Sequence, residues 1–167
     1  MLLGTMPDHN NLPQSETLVI QLIMQQRYAE VYELLVNQQP MLTAGLYNLA
    51  LCLHWSGNYK EALSRLDSIQ LAPMISNANN FTGNSVYTEI KNKQNQTDDY
   101  LQGMSEIYIK RFPVLVNDAI VRLKTDCWLQ LGDYEKVMAI ATPIANKGYK
   151  NIIEALKIAG TADVKRI

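Results

Sequence analysis

The residues able to do acid–base, nucleophilic or metal chemistry are few and dispersed. The chain of 167 residues holds two cysteines and two histidines. Cys52 and His54 are two positions apart, a spacing that a helix sends to different faces. Zinc needs three or four ligands, and no further ligand type falls near this pair. His9 lies in a start containing Pro and Asn, and Cys127 has no histidine near it in sequence. Asp98 and Asp99 adjoin, but two acids after Thr97 form the charge pattern of a helix start, with Thr97 as N-cap. No glycine-rich phosphate loop occurs. The sequence thus predicts no catalytic constellation, no metal and no cofactor, and the chain is read as a non-enzyme.

Apolar periodicity is the strong signal instead, and it is clearest over residues 46–71. Leu46, Leu49, Ala50 and Leu53 recur at the spacing of one helix face. After Ser56-Gly57-Asn58, the residues Tyr59, Ala62, Leu63, Leu66 and Ile69 repeat the pattern. Gly57 can take the left-handed conformation that ends a helix, and Asn58 is placed to cap the next. Small residues, Ala50 and Ala62, stand where two such helices would cross. Pro73 discourages further helix.

The residues Leu46, Leu49, Ala50, Leu53, Gly57, Tyr59, Ala62, Leu66 and Pro73 resemble the tetratricopeptide repeat, a helix–turn–helix unit of about 34 residues. Two positions depart from that pattern: Leu46 replaces an aromatic and Ile69 a small residue. The resemblance implies an all-α superhelix of stacked hairpins that binds another polypeptide.

Composition agrees with a globular domain. Hydrophobic residues make up 47% and charged residues 19%, which separates the chain from disordered sequences. A net charge of −1 gives no basic footprint for nucleic acid or a membrane surface. No apolar run is long enough to span a bilayer, and the first residues lack the pattern of a signal peptide. Two isolated cysteines without a CxxC read as buried thiols of a reducing, cytoplasmic setting.

Taken in order, residues 1–14 read as irregular. A repeat domain over 15–160 follows, with units at about 15–39, 40–73, 84–112 and 114–146. The first opens at Ser15 as N-cap, carries Leu18, Val19, Leu22 and Ile23, and turns at Gln25-Gln26-Arg27. Gln26 stands where the turn glycine belongs, and Tyr28, Val31, Leu34 and Leu35 mark the second helix. Residues 74–96 are Asn-rich, either a polar connection with a weak helix near 85–92 or a loop that meets a partner. The third unit places Tyr100, Gly103, Met104, Ile107 and Tyr108 on one helix closed by Pro113. Its alternative is a loop over 84–96 with only that helix ordered. The fourth has a long helix from Val116 to Leu131, the Gly132-Asp133-Tyr134 turn, and a second helix that Pro143 kinks or shortens. A capping helix over 149–159 presents Lys150, Asn151, Glu154 and Lys157 outward, as the open end of an array requires. Residues from Gly160 form a tail.

In the tetratricopeptide family the first helix of each unit lines a concave groove. By matching positions, the resemblance places Ile20, Ile23, Tyr47, Asn48, Leu51, His54, Trp55, Arg122, Asp126 and Leu129 there. Tyr47, Leu51 and Trp55 form a stripe apart from the Leu46, Leu49 and Leu53 face. Trp55 is either a binding anchor or a packing residue. The chaperone-tail subclass is rejected, since Glu16 and Ser85 stand where its lysines belong. The expected partner is a protein or peptide segment, held by an adaptor or assembly subunit. A dedicated chaperone for an exported protein is the alternative, and self-association stays open.

Overall fold

Three times the chain reverses direction through the same hydrogen-bond pattern, and the reason lies in one residue at each turn. Gly57 and Gly132 have φ of +81° and +72°, and Gln26 has φ of +59°. Gly57 N–H donates to the His54 carbonyl at 3.0 Å and Asn58 N–H to Leu53 at 2.8 Å. Gln26 and Arg27 repeat this on Ile23 and Leu22, and Gly132 and Asp133 repeat it on Leu129 and Trp128. This is the Schellman ending, in which a left-handed residue lets two N–H groups close on the last carbonyls. Each turn is followed at once by a tyrosine, Tyr28, Tyr59 or Tyr134, that opens the next helix.

A computed structural model describes residues 12–72 and 84–164. Expectations for residues 1–11, for 73–83 including Pro73, and for 165–167 lie outside them. The helices are α1 (Leu12–Met24), α2 (Tyr28–Leu35), α3 (Thr43–Trp55), α4 (Tyr59–Asp67), α5 (Ser85–Gln94), α6 (Glu106–Arg111), α7 (Pro113–Gln130), α8 (Tyr134–Ala141) and α9 (Lys150–Val164). Short 3-10 turns cover Asp99–Leu101 and Thr142–Lys147. The described chain is all-helical, without a strand.

The pairs α1–α2, α3–α4 and α7–α8 are helical hairpins, and α4 packs on α7 to join the second to the third. The main core runs from α1 to α7, with Tyr47, Leu49, Ala50, Ala62, Leu66, Val116 and Leu123 all buried. Beneath α9 lie two smaller clusters, around Ile144, Tyr149 and Ile152 and around Val137, Ala155 and Ala159.

Several local expectations are corrected. Ser15 lies inside α1, which begins at Leu12. Asn58 makes no capping bond; its Nδ2 donates to Ser56 Oγ at 2.8 Å. Thr97 does not cap: the turn that follows starts from Asp98, and the Thr97 hydroxyl donates back to the Gln94 carbonyl at 2.7 Å. The caps are instead Asn84, Ser105 and Asp133. Pro113 opens α7 rather than closing a helix, a position where its missing N–H costs nothing. Pro143 ends α8 at Ala141 and leaves a 3-10 turn, which Gly148 stops with φ of +73°. Gly160 sits within α9, and Asn151 faces inward.

The third unit departs most. No helix joins Tyr100 to Tyr108. Tyr100 belongs to the 3-10 turn, residues 102–105 are non-helical, and only Ile107 and Tyr108 are on α6. The physical reason is tertiary. Met104 N–H donates to Asn48 Oδ1 at 2.8 Å, and Asn48 Nδ2 donates to the Met104 carbonyl at 2.9 Å. Both backbone groups that a helix would need are taken by α3.

Gln26 holds a left-handed conformation that glycine adopts without a Cβ penalty. Gln26→Gly is expected to stabilise the protein by about 0.5–1 kcal/mol, after the added chain entropy of glycine is subtracted. Thermal unfolding should then shift upward by about 1–4 °C.

Candidate functional site

The face assigned to a partner is covered in large part by the chain's own residues 97–106. Tyr47, Asn48 and Leu51 on α3 are buried, as is Arg122 on α7. The Tyr47 hydroxyl donates to the Tyr100 carbonyl, and Asn48 grips both backbone groups of Met104. Gly103 permits the close approach: a Cβ there would meet Ile23 Cδ1 at 3.0 Å and Ile20 Cγ1 at 3.4 Å. The expectation of an open groove at these residues is therefore corrected. The cause is that residues 97–105 fold back onto α3 and α7, which no local pattern announces.

Arg122 is 2% exposed, and all three of its nitrogens are engaged. Nη1 pairs with Asp99 Oδ1 at 2.5 Å, Nη2 donates to the Thr97 carbonyl at 2.8 Å, and Nε donates to Asn151 Oδ1 at 2.9 Å. The guanidinium stands 4.2 Å from the Tyr100 ring centre and 4.5 Å from that of Tyr149. A buried cation is costly unless paired and hydrogen-bonded, and here it is both. Asp126 accepts from the Tyr100 hydroxyl and from Asn151 Nδ2 at 3.1 Å. Burial raises the Asp126 pKa above the usual carboxylate value, although these bonds oppose it. Asp118 takes Lys147 Nζ at 2.7 Å and the Tyr149 hydroxyl at 2.7 Å. These polar groups serve each other.

Of the remaining expected residues, Leu129 is half-buried beside Val137 and Tyr134 under α9. His54 is half-buried, edge-on to Tyr59 at 5.6 Å. Trp55 is 63% exposed, yet it stacks on Tyr28 at 4.9 Å and so packs and faces outward at once. Burial pushes both the Cys52 and the Cys127 thiol up to about 12, far from a reactive thiolate. Among the described residues no three His, Cys, Asp or Glu side chains gather to hold a metal. No described helix is long and apolar enough to cross a membrane.

An open cleft remains beside the covered face. It measures about 480 Å³ and lies between α1, the α2–α3 connection, α3 and α6. Val19, Leu35, Pro40, Leu42 and Ile107 supply its apolar wall, and Asn48 lines its inner edge. Leu42 is 51% exposed and Ile107 78%, so apolar surface continues out to the rim. Glu106 N–H donates to Glu16 Oε1 at 2.7 Å, and Ala44 N–H donates to Glu106 Oε1 at 2.6 Å. The sequence pattern places Ile107 on a helix with Tyr100 and Tyr108 and gives Glu106 no role. Glu16 and Glu106 are 90 positions apart, so no local signal joined them.

Comparison of the chain with protein-family models, with curated proteins and with solved structures found no match.

Two measurements probe this arrangement. Asn48→Ala would leave the N–H and carbonyl of Met104 without partners, and should destabilise folding by about 2–4 kcal/mol in chemical denaturation. His54 offers a pH test. Burial lowers its pKa below the usual 6.5, against the pull of Asp126. A depressed histidine adds stability above its unfolded value, and that stability is lost as pH falls through the folded value. Stability should therefore fall less in His54→Asn than in the wild type between about pH 7.5 and about pH 5.

Proposed function

We propose that this chain is a non-catalytic protein-interaction module of tetratricopeptide-like architecture. In this reading the hairpins form an α–α superhelix capped by α9. A partner's extended segment lies in the cleft between α1, α3 and α6, and the chain acts as an adaptor or assembly subunit. Three Schellman turns, each followed by tyrosine, support the repeat architecture. One observation carries the functional reading. The α3 face already holds a non-helical stretch of polypeptide by its backbone, through the paired bonds of Asn48 to Met104. Backbone recognition of that kind is indifferent to sequence, and neighbouring pockets then select side chains. The apolar cleft begins where this stretch ends at Glu106, and Asn48 borders both. Clefts of roughly 300–1,000 Å³ suit ligand groups of side-chain to peptide size.

Capture from the source cell lysate with wild-type and Leu42→Ser/Ile107→Ser baits, read by mass spectrometry, tests this reading. Both side chains are largely exposed, so folding stability should change by no more than about 0.5 kcal/mol per site. The partner should be retained by the wild type and lost by the double variant. A partner retained equally by both would place its binding elsewhere.

A further inference from the structure

The cleft pairs an apolar wall with two carboxylates that lack a counter-charge, and this defines what it can hold. Glu16 comes from α1 and Glu106 from the first residue of α6. The bonds from Glu106 N–H and Ala44 N–H engage one oxygen of each and fix both groups at the wall. Among the described residues, neither has a Lys, Arg or His nitrogen within 4.0 Å. Lys110 also lines the cleft but does not pair with them. Asp99, Asp118 and Asp67 are by contrast paired, with Arg122, Lys147 and Lys124, while Asp126 is bonded by the neutral Tyr100 and Asn151. Two half-buried carboxylates without an ion-pair partner on one wall of a concave site focus a negative potential and attract cationic groups.

Resting on the reading of the cleft as a peptide-docking site, we propose that its occupant is an extended segment with a bulky apolar residue next to a lysine or arginine. The apolar side chain enters against Leu42 and Ile107, the exposed part of the wall, and removes them from water. The basic side chain meets Glu16 and Glu106, where a charge-assisted bond is stronger than a neutral one. An acidic segment would face like-charge repulsion across the same wall, so the carboxylates reject as well as attract.

Selection from a random dodecapeptide phage library tests this. The library is selected on the full chain, and clones that also bind Leu42→Ser/Ile107→Ser are discarded. The cleft-dependent clones should carry an apolar residue adjoining Lys or Arg. A synthetic peptide of the leading clone should bind Glu16→Gln/Glu106→Gln about ten-fold more weakly than wild type, equivalent to about 1.4 kcal/mol. Glutamine keeps the oxygen that accepts each backbone N–H, so the wall is preserved and circular dichroism should be unchanged. If that variant unfolds, the same peptide is measured on wild type from about 0.05 to about 0.5 M salt, where screening should weaken it by a similar factor. Neutral or acidic cleft-dependent clones overturn the proposal and leave the docking site standing, as does affinity insensitive to both the glutamines and salt. Absence of any clone that distinguishes wild type from the Leu42/Ile107 variant overturns the docking site itself, and the proposal with it.

Discussion

The guanidinium of Arg122 lies between the rings of Tyr100 and Tyr149 and bonds to Asp99, the Thr97 carbonyl and Asn151. A cation this deeply placed must be satisfied on every side, because removing it from water costs several kcal/mol. Satisfying it draws together three parts of the chain: α7, which carries it, α9, which brings Asn151, and the turn at 97–101. Tyr149 extends the same arrangement to Asp118 and Lys147. Loss of Asp99 would leave the buried charge without its ion-pair partner, and loss of Asn151 would leave Nε without its acceptor.

The consequences run outward from that point. With Thr97 and Tyr100 held, residues 102–105 lie against α3, where Asn48 takes both backbone groups of Met104. The segment is thereby kept from helix and delivers Glu106 to the start of α3. The open cleft exists because residues 97–105 cover the α3 and α7 face only as far as Glu106. Packing and candidate function therefore share a cause. What closes most of one face also shapes the wall of what stays open.

The two kinds of element differ in what holds them. The hairpin turns are local: a left-handed residue and the two N–H groups beside it close the helix end within a few positions. The stretch from 97 to 106 is held non-locally, since its bonds reach from Glu16 to Glu106 and from Asn48 to Met104. The helix α5 that precedes it buries none of its side chains, and its end is tied down by Asn95 and Gln96 to Lys147 and Gly148.

The sequence by itself determined the helical class, the three hairpin turns, the apolar face of α4 and part of that of α3. Glycine at φ above zero, tyrosine at a helix start and 3.6-residue periodicity all act within one or two turns of helix. It also marked Gln26 as the odd residue at a glycine position, and that residue is indeed left-handed. Tertiary structure decided the rest. Tyr100, Gly103 and Met104 have helical spacing, but bonds from residues more than 50 positions away outweigh a weak local preference. Asn48 and Arg122 read as groove residues because a linear pattern cannot say whether a polar face meets solvent, a partner or a later part of the same chain. The cleft was invisible for the same reason: its walls come from α1, α3 and α6, and only their packing brings Glu16, Leu42 and Glu106 to one place.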